Sequence, residues 1–183
     1  MFPWSCWAIS FDIWETGISR QEMTEKAQQQ NIPLAKDGLH HSNKTFNQKL
    51  LVGEANSFYY FTTLLDHTAK VHLTLSPKKA NYGQFLYEID VLFSDPRKNR
   101  DLRPYLLKLL EGKYGPGKIQ PDFVRKIWFW HPEMDGEVKL IATSASLQLK
   151  YTDIKIKNFA EKLAKSTYKL PEKPMNHQDA NKF

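Results

Sequence analysis

His131, Glu133 and Asp135 fall within a single stretch of five residues, the densest acid–base grouping in the chain. A histidine beside two carboxylates can relay a proton in hydrolysis or sugar processing. A turn also takes polar side chains simply because its backbone must stay solvated. The other histidines are His40, His41, His67, His72 and His177, and none forms a helical metal-ligand pair with another. His40 and His41 sit in a loop-like stretch, whereas His67 and His72 flank one expected turn and could approach each other. Cys6 is the single cysteine, which rules out a disulfide within the chain and argues against a cysteine-based zinc site. There is no Gly-x-Ser-x-Gly elbow, no Gly-x-Gly-x-x-Gly and no phosphate loop of the Walker type. Lys113 to Gly117 is rich in glycine but follows a helical pattern, so it reads as a helix end rather than a phosphate cradle. The expectation is therefore a chain with no catalytic residue, no metal ligand and no cofactor to assign.

Side chains suited to binding are easier to find. Tyr59 and Phe61 lie on an aromatic strand, and Trp128 and Trp130 share one face of another, next to Lys126. Turned outward, these aromatics would make a patch for a protein, a peptide or a glycan, or stack single-stranded bases; turned inward, they belong to the core. Arg97, Lys98, Arg100 and Arg103 form the densest basic cluster, with Asp95 and Asp101 interleaved. The net charge of +6 is spread along the chain and favours anionic partners only modestly.

The elements that must position these groups follow from periodicity. Ile9 to Trp14 alternates as a short strand. Ser19 and Glu22 form a capping box, with Ile18 and Met23 as its hydrophobic staple, and predict a helix over 20–30. Residues 33–44 read as loop, and Phe46, Gln48, Leu50 and Val52 as a strand. Phe58 to Leu65 and Val71 to Leu75 follow as strands, and Phe85, Tyr87, Ile89, Val91 and Phe93 alternate with Glu88 and Asp90 on the other side. A second helix starts between Asp95 and Asp101, with Leu102, Tyr105, Leu106, Leu109 and Leu110 as its buried stripe and Pro104 in its first turn. Ile127 to Trp130, Val138 to Ala142 and Leu147 to Tyr151 are strands, and Thr152 or Asp153 caps a last helix.

Short links between neighbouring strands favour antiparallel pairing. The expected fold is a single α+β domain over 9–168, with an antiparallel sheet of about six to seven strands and three helices on one face. Residues 169–183 read as a mobile tail. Met1 to Ala8 (MFPWSCWA) is apolar and uncharged and reads as the remnant of an export signal or a frayed end. No apolar run reaches the length of a bilayer-spanning helix.

WETGISRQE (14–22), LLKLLEGKYGPG (106–117), IWFW (127–130) and LQLKYTD (147–153) together resemble a pattern of small exported bacterial α+β domains of unknown function. The resemblance implies the fold and export, and carries no activity with it. The reading that results is a non-enzymatic binding or accessory domain of the bacterial cell envelope, periplasmic or secreted. Its partner would be another protein or an envelope component, met through Tyr59, Phe61, Trp128 and Trp130 with nearby basic residues. The alternatives are a cytosolic nucleic-acid-associated domain using Arg97, Lys98, Arg100, Arg103 and Lys126, and a small hydrolase around His131.

Overall fold

The computed structural model describes residues 9–37, 56–78, 82–120, 122–132 and 135–167, without the side chains of 96, 97 and 164–167. The expected strand at Phe46 to Val52, the residues Cys6, His40, His41, Glu133 and His177, the export-like segment 1–8 and the tail 169–183 lie outside the described residues.

Three helices are described: α1 (Arg20–Gln29), α2 (Pro96–Tyr114) and α3 (Ile154–Thr167). The strands are β1 (Ser10–Phe11), β2 (Trp14–Glu15), β3 (Ala35–Lys36), β4 (Ser57–Leu64), β5 (His67–Leu75), β6 (Leu86–Phe93), β7 (Lys118–Gln120), β8 (Lys126–Trp130), β9 (Gly136–Ala142) and β10 (Leu147–Asp153). β1 and β2 form a hairpin of their own, and the other eight make one sheet in the order β3-β4-β5-β6-β10-β9-β8-β7. Every pairing in that sheet is antiparallel. The α+β architecture agrees with the sequence reading, and the sheet is larger than the six to seven strands expected.

The extra strands are short, and each escaped notice for a physical reason. The expected single strand at 9–14 is broken by Asp12, whose φ of 55° reverses the chain and pairs Phe11 with Trp14. β3 and β7 are two and three residues long, too short to display a period.

One face of the sheet carries the core. Tyr60, Val71, Val91, Leu149, Leu140 and Trp128 stand in one cross-strand row, and Phe58, Leu73, Ile89, Tyr151, Val138 and Trp130 in the next. All twelve are buried, and each large apolar side chain removed from water contributes about 1.5–3 kcal/mol. Met23 and Ala27 of α1 and Leu102, Leu106 and Leu110 of α2 close over this face, whereas Tyr105 and Leu109, expected in the buried stripe, sit on the flank of α2 turned to water and are 49% and 48% exposed. The buried Ile156, Ala160 and Leu163 of α3 lie outside that cluster. α3 lies against β6 and β10, with Ile156 Cδ1 also 3.8 Å from the space a Gly17 side chain would fill and Phe159 edge-on to Tyr82.

The capping box forms as read: Ser19 Oγ accepts from the Glu22 amide at 3.2 Å, and Glu22 Oε2 accepts from the Ser19 amide at 2.7 Å. α2 departs from expectation. It begins at Pro96, with Asp95 accepting from the Lys98 amide, so Pro104 sits inside the helix rather than in its first turn. The proline at the first helical position is the better start signal, since φ is already set and no amide bond is lost there.

Candidate binding face

The sheet face opposite the core is polar at its centre and aromatic at one corner. Its register places Tyr59, His72, Asp90, Lys150, Lys139, Phe129 and Lys118 in one cross-strand row. At the centre, Lys150 Nζ lies 3.0 Å from Glu88 Oε1 and 3.8 Å from Asp90 Oδ2. Gln148 Nε2 donates to Asp90 Oδ2 at 2.6 Å. Burial raises the Asp90 carboxyl above the ordinary aspartate range, with Lys150 and Gln148 pulling it back. Burial alone would lower the Lys150 ammonium, but Glu88 and Asp90 outweigh it and hold it above ordinary lysine. Asp90 Oδ1 is buried without a hydrogen-bond partner. This ladder is largely self-satisfied, and its charges tie β6 to β10.

The β4–β5 corner is different. Phe61 is 63% exposed, yet it stands edge-on to Tyr59 with ring centroids 5.9 Å apart. Lys70, opposite Phe61 in register, places its Nζ 4.0 Å from the Tyr59 ring centroid and 5.9 Å from that of Phe61. His72 stacks at a tilt beside Tyr59, and its Nδ1 lies 3.3 Å from Asp37 Oδ2. An ordered aromatic pair capped by a cation is suited to an apolar side chain with a carboxylate beside it.

The other sequence candidates separate. Trp128 and Trp130 are buried, at 9% and 3% exposure, and so leave any surface patch. They share a face as read, but it is the core face, and no exposed tryptophan strand remains among the described residues to stack bases. The reason is visible at the end of α2: Trp130 Nε1 donates to the Gly115 carbonyl at 2.9 Å, and a side chain on Gly117 would fall 2.6 Å from the indole. The Lys-Tyr-Gly-Pro-Gly stretch is therefore a helix cap, with Gly115 at φ 80°, and also the seat of an indole. Lys98, Arg100 and Lys126 are exposed, Arg103 is half-buried, and the side chain of Arg97 lies outside the described residues.

His67 and His72 are five apart on one strand and point to opposite faces. His67 packs edge-on to Phe93, and its buried Nδ1 has no partner. In the turn proposed for acid–base work, His131 and Asp135 are exposed, and the Asp135 carbonyl accepts the Ile154 amide, which is a structural role at the start of α3. No cluster of three or more metal-ligating side chains occurs among the described residues.

Residues that the sequence reading passed over include Lys70 and Asp37, which complete the corner. Register would have pointed to Lys70 once the β4–β5 hairpin was fixed. Also missed was an open groove of about 930 Å3 between the start of α1 and the end of the sheet, lined by Arg20, Thr24, Lys36, Lys78 and Gln84. There Arg20 is held by Gln84 Oε1 at 2.8 Å and lies 5.3 Å from the Phe58 ring centroid.

No family model, no curated protein and no solved structure matches this chain.

Proposed function

We propose that this chain is a binding module that recognises a protein partner through the β4–β5 corner, with Tyr59 and Phe61 as the apolar contact and Lys70 as the charged one. The observation that carries the reading is Phe61: a large ring left 63% exposed but held in a fixed place by Tyr59 and Lys70. Ordered exposed aromatics cost little entropy on docking and supply much of the energy of small interfaces. The fitting partner presents an apolar side chain next to Asp or Glu. Residence in the bacterial cell envelope belongs to the same proposal, and its support is the apolar run Met1 to Ala8.

The test is a selection of displayed short peptides on the wild-type chain, followed by titration of the enriched sequences against Phe61→Ser and Lys70→Glu. Enriched peptides should pair an aromatic or aliphatic residue with an acid, and each substitution should weaken them at least about tenfold. Peptides that bind both variants as tightly as the wild type would remove the corner from the site.

A further inference from the structure

The far end of the sheet carries an exposed apolar surface that the corner does not explain. Phe123 and Val124, in the loop between β7 and β8, are 111% and 81% exposed, and Ile119 on β7 is 65% exposed. Water gains nothing from such side chains, and a pair at the tip of a loop is unusual without something to receive it. The loop holds them outward by a local device. Asp122 Oδ1 accepts the Val124 amide at 3.1 Å, and Asp122 Oδ2 accepts Arg125 Nε at 2.5 Å. Those same two contacts hold the Asp122 carboxyl below its ordinary value.

The flanks are basic. Lys118, Arg125 and Lys126 bracket the tip and all three are exposed; Arg125 is paired with Asp122, the one acid in the stretch, so Lys118 and Lys126 supply the net charge. Lys126 opens β8 directly behind the loop and Lys118 lies two residues further back on β7 than Gln120, opposite Phe129, so their charges stay at the base while the apolar pair leads. An apolar tip over a cationic base matches the order of an anionic membrane, in which hydrocarbon lies beneath a negatively charged headgroup layer. A nucleic acid would want flat rings lying along a basic groove, not a leading Phe-Val pair.

We propose that the β7–β8 tip inserts Phe123 and Val124 into the interfacial layer of an anionic lipid surface, with Lys118 and Lys126 at the headgroups and Arg125 kept on Asp122. The contact is peripheral and reversible, because two apolar side chains and two lysines give only a weak hold. No helix among the described residues is long and apolar enough to cross a membrane, and this mode of attachment needs none. The proposal uses a different part of the sheet from the β4–β5 corner and stands without it.

The experiment is co-sedimentation of the full chain with vesicles of phosphatidylcholine alone, and with vesicles of phosphatidylcholine and phosphatidylglycerol in equal parts. The wild type should pellet with the anionic vesicles and much less with the neutral ones, and added salt should release it. Phe123→Ser with Val124→Ser should lower partitioning by about ten- to a hundredfold. Lys118→Gln with Lys126→Gln should lower it by about fivefold per charge, on the anionic vesicles alone. All four positions are exposed, so both double variants should keep the wild-type melting temperature. Failure of the wild type to pellet with anionic vesicles, or equal pelleting of the Phe123/Val124 variant, overturns the proposal. A concentration-dependent dimer that the Phe123/Val124 variant dissolves would assign the tip to a second copy of the chain instead.

Discussion

At the β4–β5 end of the sheet, Phe61 is exposed but braced: Tyr59 meets it edge-on and Lys70 spans both rings. At the β7–β8 end, Phe123 leads a loop whose order comes from one carboxylate, Asp122, and whose parent strand β7 is three residues long. Both ends present an aromatic ring beside a cation, and the difference lies in what holds the ring. A braced ring offers a fixed shape, as recognition of one partner requires. A ring on a loop tip offers area without shape, which a fluid surface accepts. Similar residue types thus suit two tasks, according to whether neighbouring strands can reach them.

The sharpest way to break that comparison is to remove the root of the β7 end. Trp130 carries it, through the hydrogen bond to Gly115 and the contact with Gly117. Trp130→Ala should cost about 3–5 kcal/mol in urea unfolding. Gly117→Ala should cost about 1–3 kcal/mol, because the added methyl meets the indole. Amide exchange should rise first at Lys118 to Gln120, while β4 and β5 keep their protection. Uniform loss of protection across the sheet would mean that the two ends are not independently held.

The charged ladder between the ends comes next. Lys150→Met leaves Glu88 and Asp90 facing each other on a half-buried face, and should cost about 1–3 kcal/mol at neutral pH. The sign with pH follows from Asp90. Its folded carboxyl is already raised by burial, and loss of Lys150 raises it further. A raised carboxyl takes up its proton in the folded state before the unfolded one does, so the deficit is present at neutral pH and shrinks as pH falls through the raised value. Denaturant midpoints of wild type and variant, measured across the acid range, should therefore converge.

The smallest effect belongs to the cap of α1. The Ser19 amide and hydroxyl lower the Glu22 carboxyl, so its contribution is present above the unfolded value and is lost as pH falls through the lowered one. Glu22→Gln should cost about 0.3–1 kcal/mol at neutral pH, with the gap from wild type closing in acid. A gap that persists in acid would show that the amide geometry, not the charge, does the capping.

Much of the fold was legible wherever a period ran long enough. Ile89, Val91 and Phe93 alternate with Asp90 and Leu92 as read, whereas Phe85 lies just outside β6 and the slip at Thr74/Leu75 brings the buried Leu86 opposite Leu75. The Ser19–Glu22 box and the Asp153 cap, whose Oδ1 accepts the Ile156 amide at 2.8 Å, are local hydrogen bonds written in adjacent residues. The candidate site was legible only in part. Tyr59 and Phe61 were found as aromatics on a strand, but nothing local tells an exposed face from a buried one when both faces carry rings. Trp128 and Trp130 show the same ambiguity resolved the other way.

From the sequence alone came most of the described element types, their antiparallel bias, the caps of α1 and α3 and the absence of an internal disulfide, because each depends on local residues or on composition. Tertiary structure alone decided which face of each strand meets α1 and α2, that Gly117 leaves room for the Trp130 indole, and that Lys70 crosses to Tyr59. It also decided that Phe123 is left exposed among the described residues. Those outcomes depend on strand register and on which elements pack over the sheet, and both are set by distant parts of the chain that no local spacing records.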